Sequence, residues 1–444
     1  MNKSLTPSLV KTVKLTILII LLVLPFHEFL TTWLASNFGH INLFRVWKEG
    51  ILALLIPIVF YLAWSDKKLR KWLIRDRLIL LIKLFSIIVI VLGVIGYYQK
   101  HVNLSALGAG LVIDLRFFLI FLITLTLTRY TDFFKKYWKQ ILIYPALLVI
   151  LFGIAQLFLP IDFLRHFGYG PSTIPAFQTI DQQLRFHRIQ STLRGANPLG
   201  VYLMLITPTL IFFYTRNFLI RVIASVLSLT ALFFTYSRSA YAGLIVTIGI
   251  IFYYLKFDNH KISLEAKKAL YYLSAGIILL IVALSLMLRN NPTFDNVFFH
   301  TSKNSQAATS SNSVRFSDLR TNSENFIKHP LGQGVGIAGP ASTHNNHPAR
   351  IAENFYIQIG QETGVIGLVV FLAINFIVGY RLFILRADSL SLLLFASLIC
   401  ITLINMVSHA WADDTLSLIW WAFAGVALSP KLVKNKVIQN EATN

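Results

Sequence analysis

Long apolar runs, parted by short polar stretches, dominate the chain. Twelve runs are candidates for membrane-crossing helices, at about 15–35, 49–64, 78–98, 109–128, 140–160, 197–214, 218–235, 239–255, 269–288, 364–384, 390–408 and 415–429. A helix needs about 20 apolar residues to cross roughly 30 Å of hydrocarbon. The second and last runs are short, and the pair at 218–255 is broken only by Tyr236–Ser239. Two polar stretches are long enough to hold a site. One is 161–196, rich in Arg, His and Gln, and the other is 289–363, rich in Ser, Asn, Thr and Gly. The pattern predicts an all-α, polytopic membrane protein of about twelve helices. It forms a single domain over 1–444, with a first extracytoplasmic loop at 161–196 and a large one at 289–363, before the tenth helix. Lys3, Lys11 and Lys14 precede the run Leu15–Phe26 in the manner of a signal peptide. No small-x-small cleavage site follows, so the run reads as a retained first span.

Composition supports this reading. The chain is 56% hydrophobic and 13% charged, with a mean hydropathy of +0.66. Soluble domains carry about 25% charged residues, so a soluble or disordered chain is excluded. The net charge of +21 would suit nucleic acid in a soluble protein. On so apolar a chain it points to a membrane, and no nucleic-acid partner is expected. Cys400 is the single cysteine, which rules out an intramolecular disulfide.

Lys and Arg favour the cytoplasmic ends of spans. With both termini inside, the inner segments hold 24 of the 40 basic residues and the outer ones 14. Lys83 and Arg116 fall within spans. The inner set is 16 Lys and 8 Arg, whereas the outer set is 10 Arg and 4 Lys. Inner lysine is explained by topology and anionic membrane lipid. Outer arginine suggests a phosphate-bearing ligand, because the guanidinium fork binds phosphate oxygens bidentately. Capping of helices or pairing with carboxylates is the competing role for each one.

Four segments carry candidate chemistry. In Ser191–Gly200, Arg194 stands just before a helix start whose unpaired amides favour an anion; Arg188 lies a little upstream. In Thr235–Gly243, a sharp outer turn sets Arg238 at the membrane face, and Ser239, Ala240, Ala242 and Gly243 allow close helix packing. The segment from Val314 to Gly336 predicts a short amphipathic helix with Arg315 and Arg320, stopped by Pro330 and followed by Gly-x-Gly-x-Gly. Those glycines let backbone approach a ligand or another helix closely. In Ala352–Gly367, Glu353 lies at the outer face, where a carboxylate can act as a base or pair with an arginine. Glu362 suits capping or packing. His344 and His347 could act as a base or bind a metal, although an Asn-rich loop also favours plain solvation. No P-loop, His-Glu-x-x-His or Gly-x-Ser-x-Gly stretch is present.

In this order, the segments resemble the O-antigen ligase and O-antigen polymerase family of bacterial membrane proteins. The shared features are Arg-Gly before a span, Ser-Arg between two spans, and a large outer loop with Arg…Pro-Leu-Gly-x-Gly, then Asn-x-Tyr ending in Glu-x-Gly-x-x-Gly. They cover roughly 191–243 and 315–367. The resemblance implies a GT-C-like glycosyltransferase of the bacterial cytoplasmic membrane, active on its extracytoplasmic face in polysaccharide biosynthesis. Its partners would be an undecaprenyl-pyrophosphate-linked glycan and an acceptor glycan or lipid. Ligases of the family usually carry His-Asn where this chain has Glu353-Asn354, and polymerases often show Glu-Asn, so polymerase is expected, with ligase as the alternative. Arg194, Arg238 and Arg315 would bind the pyrophosphate, with Arg320 and Arg188 as lesser candidates. Glu353 would be the base, and Asn354, Tyr356, His344 and His347 possible support. Tyr236, Phe316 and Tyr356 could touch sugar rings or lipid. No cofactor is expected and no metal ligands are singled out, since the sequence holds no Asp-x-Asp. The rival class is a lipid-linked glycan transporter. It should carry charge near the bilayer midplane, whereas the span interiors show mainly Lys83, Asp114 and Arg116.

Overall fold

The computed structural model describes residues 5–180, 183–257 and 311–430. In chain order the helices begin with α1 (Leu5–Val23), α2 (His27–Phe38), α3 (Ile41–Arg45), α4 (Trp47–Ser65), α5 (Lys67–Arg75), α6 (Arg77–Tyr98), α7 (Leu104–Thr128) and α8 (Phe133–Ala155). A small antiparallel hairpin follows, β1 (Gln178–Ile180) and β2 (Gln183–Arg188), with a bulge between Thr179 and Ile180. Then come α9 (Ala196–Phe212), α10 (Phe218–Phe234), α11 (Arg238–Phe257), α12 (Ser311–Lys328), α13 (Phe355–Ile384), α14 (Ser389–Ile404) and α15 (Asp414–Ala427).

The chain is an all-α polytopic membrane protein. Eleven of the twelve apolar runs fall on helices; the run at 269–288 lies outside the described residues, as does most of the first part of the 289–363 loop. Among the described residues, seven helices are long and apolar enough to cross a membrane, and α9, α10, α14 and α15 are shorter apolar helices. The first and tenth runs differ most from expectation. Helix starts ten residues before the first run, and a 3-10 turn at Leu24–Phe26 leads directly into α2. Polar residues His27 and Glu28 in α2 are buried, so polarity there does not mark a loop. Likewise α13 begins at Phe355, and a kink at Gly364 (φ 68°) separates its polar first turns from the apolar span.

The core is aromatic where α7 meets α15. Phe117, Phe118 and Phe121 pack on Trp421, which in turn contacts Trp411 and Trp420. Small residues bring the backbones close: Thr124 Oγ1 donates to Ala422 O at 2.8 Å, and Gly425 sits against Phe121 and Thr124. Beyond the C-terminus of α7, Asp66 pairs with Arg129 at 2.9 Å, and Asp76 accepts a bidentate pair from Arg381 at 3.1 and 2.9 Å. Both aspartates also cap helices, α5 and α6. This is the end where the basic segments predict the cytoplasm.

The bundle interior is more charged than the sequence suggests. Lys48 Nζ lies 2.7 Å from Asp414 Oδ2, 2.8 Å from His27 Nε2 and 3.3 Å from Glu49 Oε2. Arg116 extends the network to Glu49 at 3.3 Å and to the backbone of Ala412 at 2.5 Å. These residues come from α2, α4, α7 and α15, so no one segment of sequence displays them together. His27, Glu28 and Asp414 lie near enough to share a metal ion, but His27 Nε2 is in direct contact with Asp414 Oδ2 at 3.1 Å, and the Lys48 ammonium contacts both of those atoms. A second buried pair, Asp114 of α7 and Glu362 of α13, is fully enclosed, and the two carboxyl groups are close enough to interact electrostatically.

Candidate functional site

The hairpin β1–β2 is held against the start of α9 and the turn before α11. Gln178 of β1 accepts from Ala196 N at 3.1 Å and so caps α9. A Cβ on Gly195 would lie 2.9 Å from Gln178 Nε2, which explains the glycine in Arg194-Gly195. At the end of β2, Ile189 N donates to Phe234 O at 3.1 Å. Arg188 donates through Nε to Thr235 O at 2.7 Å and through Nη2 to Asn197 Oδ1 at 2.5 Å. Arg188 therefore joins the first motif to the second.

The turn between α10 and α11 is tight. Tyr236 adopts φ 48°, and Gly200 of α9 packs against Ser237 and Ala240, where a Cβ would come within 2.8 and 2.9 Å of theirs. This is the close small-residue packing expected from Ser239–Gly243. It sets Arg238 at the first position of α11.

The third motif approaches from the large loop. Helix α12 carries Arg315 and ends at Lys328, just before Pro330. Arg315 Nε lies 2.6 Å from Glu353 Oε2, with both side chains about 40% exposed. Glu353 adopts φ 46°, a left-handed conformation that costs an ordinary residue roughly 1–2 kcal/mol. The residues after it hold it there. Asn354 caps α13 by accepting from Ile357 N at 3.0 Å and donates to Met406 O at 2.9 Å. Phe355 N donates to Asn405 O at 2.9 Å, and Tyr356 OH to Thr402 O at 3.1 Å. Asn354 and Tyr356 thus anchor Glu353 to the end of α14.

Three of the five candidate arginines share one electrostatic neighbourhood. Burial pushes Arg188 down to about 10; the positive charges of Arg315 and Arg238 push the same way, and Tyr241 opposes them. At neutral pH Arg188 keeps its charge, and with the Arg238 and Arg315 guanidiniums it forms a crowded cationic patch. An anion would relieve that repulsion. Arg194 is exposed and makes no hydrogen bond or ion pair among the described residues. Arg320 is set apart: it pairs with Glu324 at 2.9 Å on an exposed face. Five residues beyond Arg315, it points about 140° around the helix. His344 is exposed. His347 Nε2 lies 3.1 Å from His101 O, so it faces the loop before α7. Phe316 is 73% exposed and Tyr236 is half-buried against Phe233 and Phe234.

The Gly-x-Gly-x-Gly stretch serves helix packing. Gly332, Gly334 and Gly336 all have positive φ, and Cβ atoms there would strike the backbones of α13, α6 and α7. Gly336 N donates to Glu362 Oε1 at 2.8 Å. Glu362 is therefore a packing residue that ties the loop to α13.

Residues 223–372 match the O-antigen ligase family model. The match spans about a third of the chain, and no curated protein matches it. The matched segment contains Arg238, Arg315, Arg320, His344, His347 and Glu353; Arg188 and Arg194 lie before it. Nothing in the local sequence marks Asn197 or Gln178, or sets Arg188 above the other arginines. Their importance comes from hydrogen bonds between the hairpin and α9 or the turn before α11, for which no local pattern exists.

Proposed function

We propose that the chain is a glycosyltransferase that moves glycan from an undecaprenyl-pyrophosphate carrier to an acceptor sugar hydroxyl outside the cytoplasmic membrane, as a polymerase of repeat units. The observation that carries this reading is the Arg315–Glu353 pair beside Arg188 and Arg238, a carboxylate bordered by phosphate-binding groups. Arg188, Arg238 and Arg194 would hold the pyrophosphate, with Arg315 bridging donor and base. The acceptor oxygen attacks the anomeric carbon as the bond from that carbon to the pyrophosphate oxygen breaks. The acceptor proton passes to Glu353, and the polyprenyl pyrophosphate departs. Fixed guanidinium groups stabilise the charge that develops on it. Attack opposite the leaving group inverts the anomeric configuration.

The second reading is a ligase that passes the glycan to a lipid or protein, which the family match favours. Both readings share the donor site and differ in the acceptor. A transporter of lipid-linked glycan draws some support from the buried charges at Lys48, Arg116 and Asp414. That network is closed by mutual ion pairs, which suits a structural role better than passage.

Purified protein given a lipid-pyrophosphate repeat unit tests the proposal. A ladder of lengthening glycans supports polymerase, and single transfer to an added lipid acceptor supports ligase. If Glu353→Gln and Arg238→Ala both fold and both retain full activity, the assigned roles are wrong.

A further inference from the structure

A cleft of about 470 Å³ lies between the loop joining α6 to α7 and the segment 345–347. Its volume falls in the range of roughly 300–1,000 Å³ common to small-molecule sites. Its lining includes Tyr97, Tyr98, Lys100, His101, Asn346 and His347. The two walls are far apart in sequence and are pinned together. Asn103 N donates to Asn345 Oδ1 at 3.0 Å, and Asn103 Nδ2 donates to His344 O at 2.6 Å. His347 lies against His101 O at 3.1 Å, and His101 Nδ1 lies 3.2 Å from Gln333 O. Lys100 adopts φ 60° at the turn. These bonds use the Asn103 and Asn345 side chains, both ring nitrogens of His347 and Nδ1 of His101, and leave the Tyr98, Lys100 and Asn346 side chains for a ligand. Tyr98 is 78% exposed, and neither Lys100 nor Asn346 has a partner among the described residues.

We propose that this cleft is a glycan subsite that holds sugar units of the acceptor strand behind the reacting hydroxyl. The proposal rests on the glycosyl-transfer reading above. The apolar C–H face of a pyranose stacks on an aromatic ring, and its hydroxyls need both donors and acceptors. Two phenols, the remaining ring nitrogen of His101, an amide and an ammonium supply that mixture. Among the described residues no carboxylate lines the cleft, and Lys100 favours acidic sugars over basic ones. Position supports the assignment. His347 is six residues from Glu353, so their backbones are at most about 20 Å apart. The link is also physical: Gln333, whose carbonyl meets His101, accepts from Arg350 Nη1 at 2.7 Å. A strand of a few sugars could lie in the cleft with its end at Glu353.

The test is binding of lipid-free glycan, released by mild acid from the host's own polyprenyl-pyrophosphate pool and sorted by length. The full chain is used in detergent. Tyr98→Ala should weaken binding of the longer glycans about tenfold, the loss of one stacking contact. Tyr98→Phe keeps the ring and should bind like wild type. Unchanged binding by Tyr98→Ala, or equal loss in Tyr98→Ala and Tyr98→Phe, overturns the subsite. Absence of transfer by wild type in the lipid-pyrophosphate assay, with glycan binding intact, would instead count against the reaction.

Discussion

The Nε of Arg315 lies 2.6 Å from a carboxylate oxygen of Glu353. This contact joins the helix of the large outer loop to the start of α13, and makes one unit of two motifs that are separate in sequence. Arg315 spends only its Nε on Glu353 among the described residues, so its two terminal nitrogens remain for an anion.

If Glu353 takes the acceptor proton, Glu353→Gln should lower kcat about 10²–10⁴-fold, the usual worth of a positioned base. The KM for the lipid-linked donor should change little. Steady-state transfer rates with varied donor check this, and an equal rise in KM would make Glu353 a binding group.

Arg188→Lys should be nearly as damaging as Arg188→Ala. A lysine cannot donate to Thr235 O and Asn197 Oδ1 together, as the arginine does, while also facing the donor. Loss of one charge-assisted hydrogen bond, at about 1.5–3 kcal/mol, corresponds to roughly a ten- to hundredfold fall in kcat/KM. Kinetics of both variants at saturating acceptor provide the measurement.

Inorganic pyrophosphate should raise the thermal midpoint of the purified protein. Arg188, held at about 10 by burial and by its neighbouring charges, is fully charged at pH 7 and loses its charge as pH rises through that value. Protection should therefore persist at pH 7–8 and fade as the pH approaches 10, below the range where an ordinary guanidinium deprotonates. A ligand at a hundred times its Kd stabilises by about 2.7 kcal/mol. Arg188→Ala combined with Arg238→Ala should abolish the shift.

Lys48→Met should destabilise the fold by about 3 kcal/mol, because it strips the closest cation from the buried Asp414 carboxylate and leaves it only His27 at 3.1 Å and Arg116 at 3.7 Å. Thermal melting in detergent reports the loss. Specific activity of the remaining folded fraction should stay close to wild type.

Gly336→Ala should also destabilise the fold, by roughly 2 kcal/mol or more. The position has φ 92°, and its Cβ would run into the backbone of Ala106. Expression level and thermal midpoint check it; Gly108→Ala, where nothing lies within 4 Å, is the control.

Hydropathy alone placed eleven of the helices, because a span must be apolar wherever it meets lipid. It misjudged α2 and the first turns of α13, where His27, Glu28 and Glu362 are polar yet buried. Their partners, Lys48, Asp414, Gly336 and Asp114, lie on other segments of the chain, and a hydropathy window sees no partner. The same limit applies to the arginines. Outer placement singled out Arg194, Arg238 and Arg315, but spacing could not show that Arg320 is occupied by Glu324 four residues on.

The amino-acid order decided the membrane class, the positions of most helices and the pool of outer arginines, since these follow from local composition. Three-dimensional packing decided which arginines meet, that Glu353 faces Arg315, and that the glycine run serves α6, α7 and α13. Each of those outcomes depends on contacts between residues tens to hundreds of positions apart. Their energy arises only when separate helices bring complementary groups together out of water.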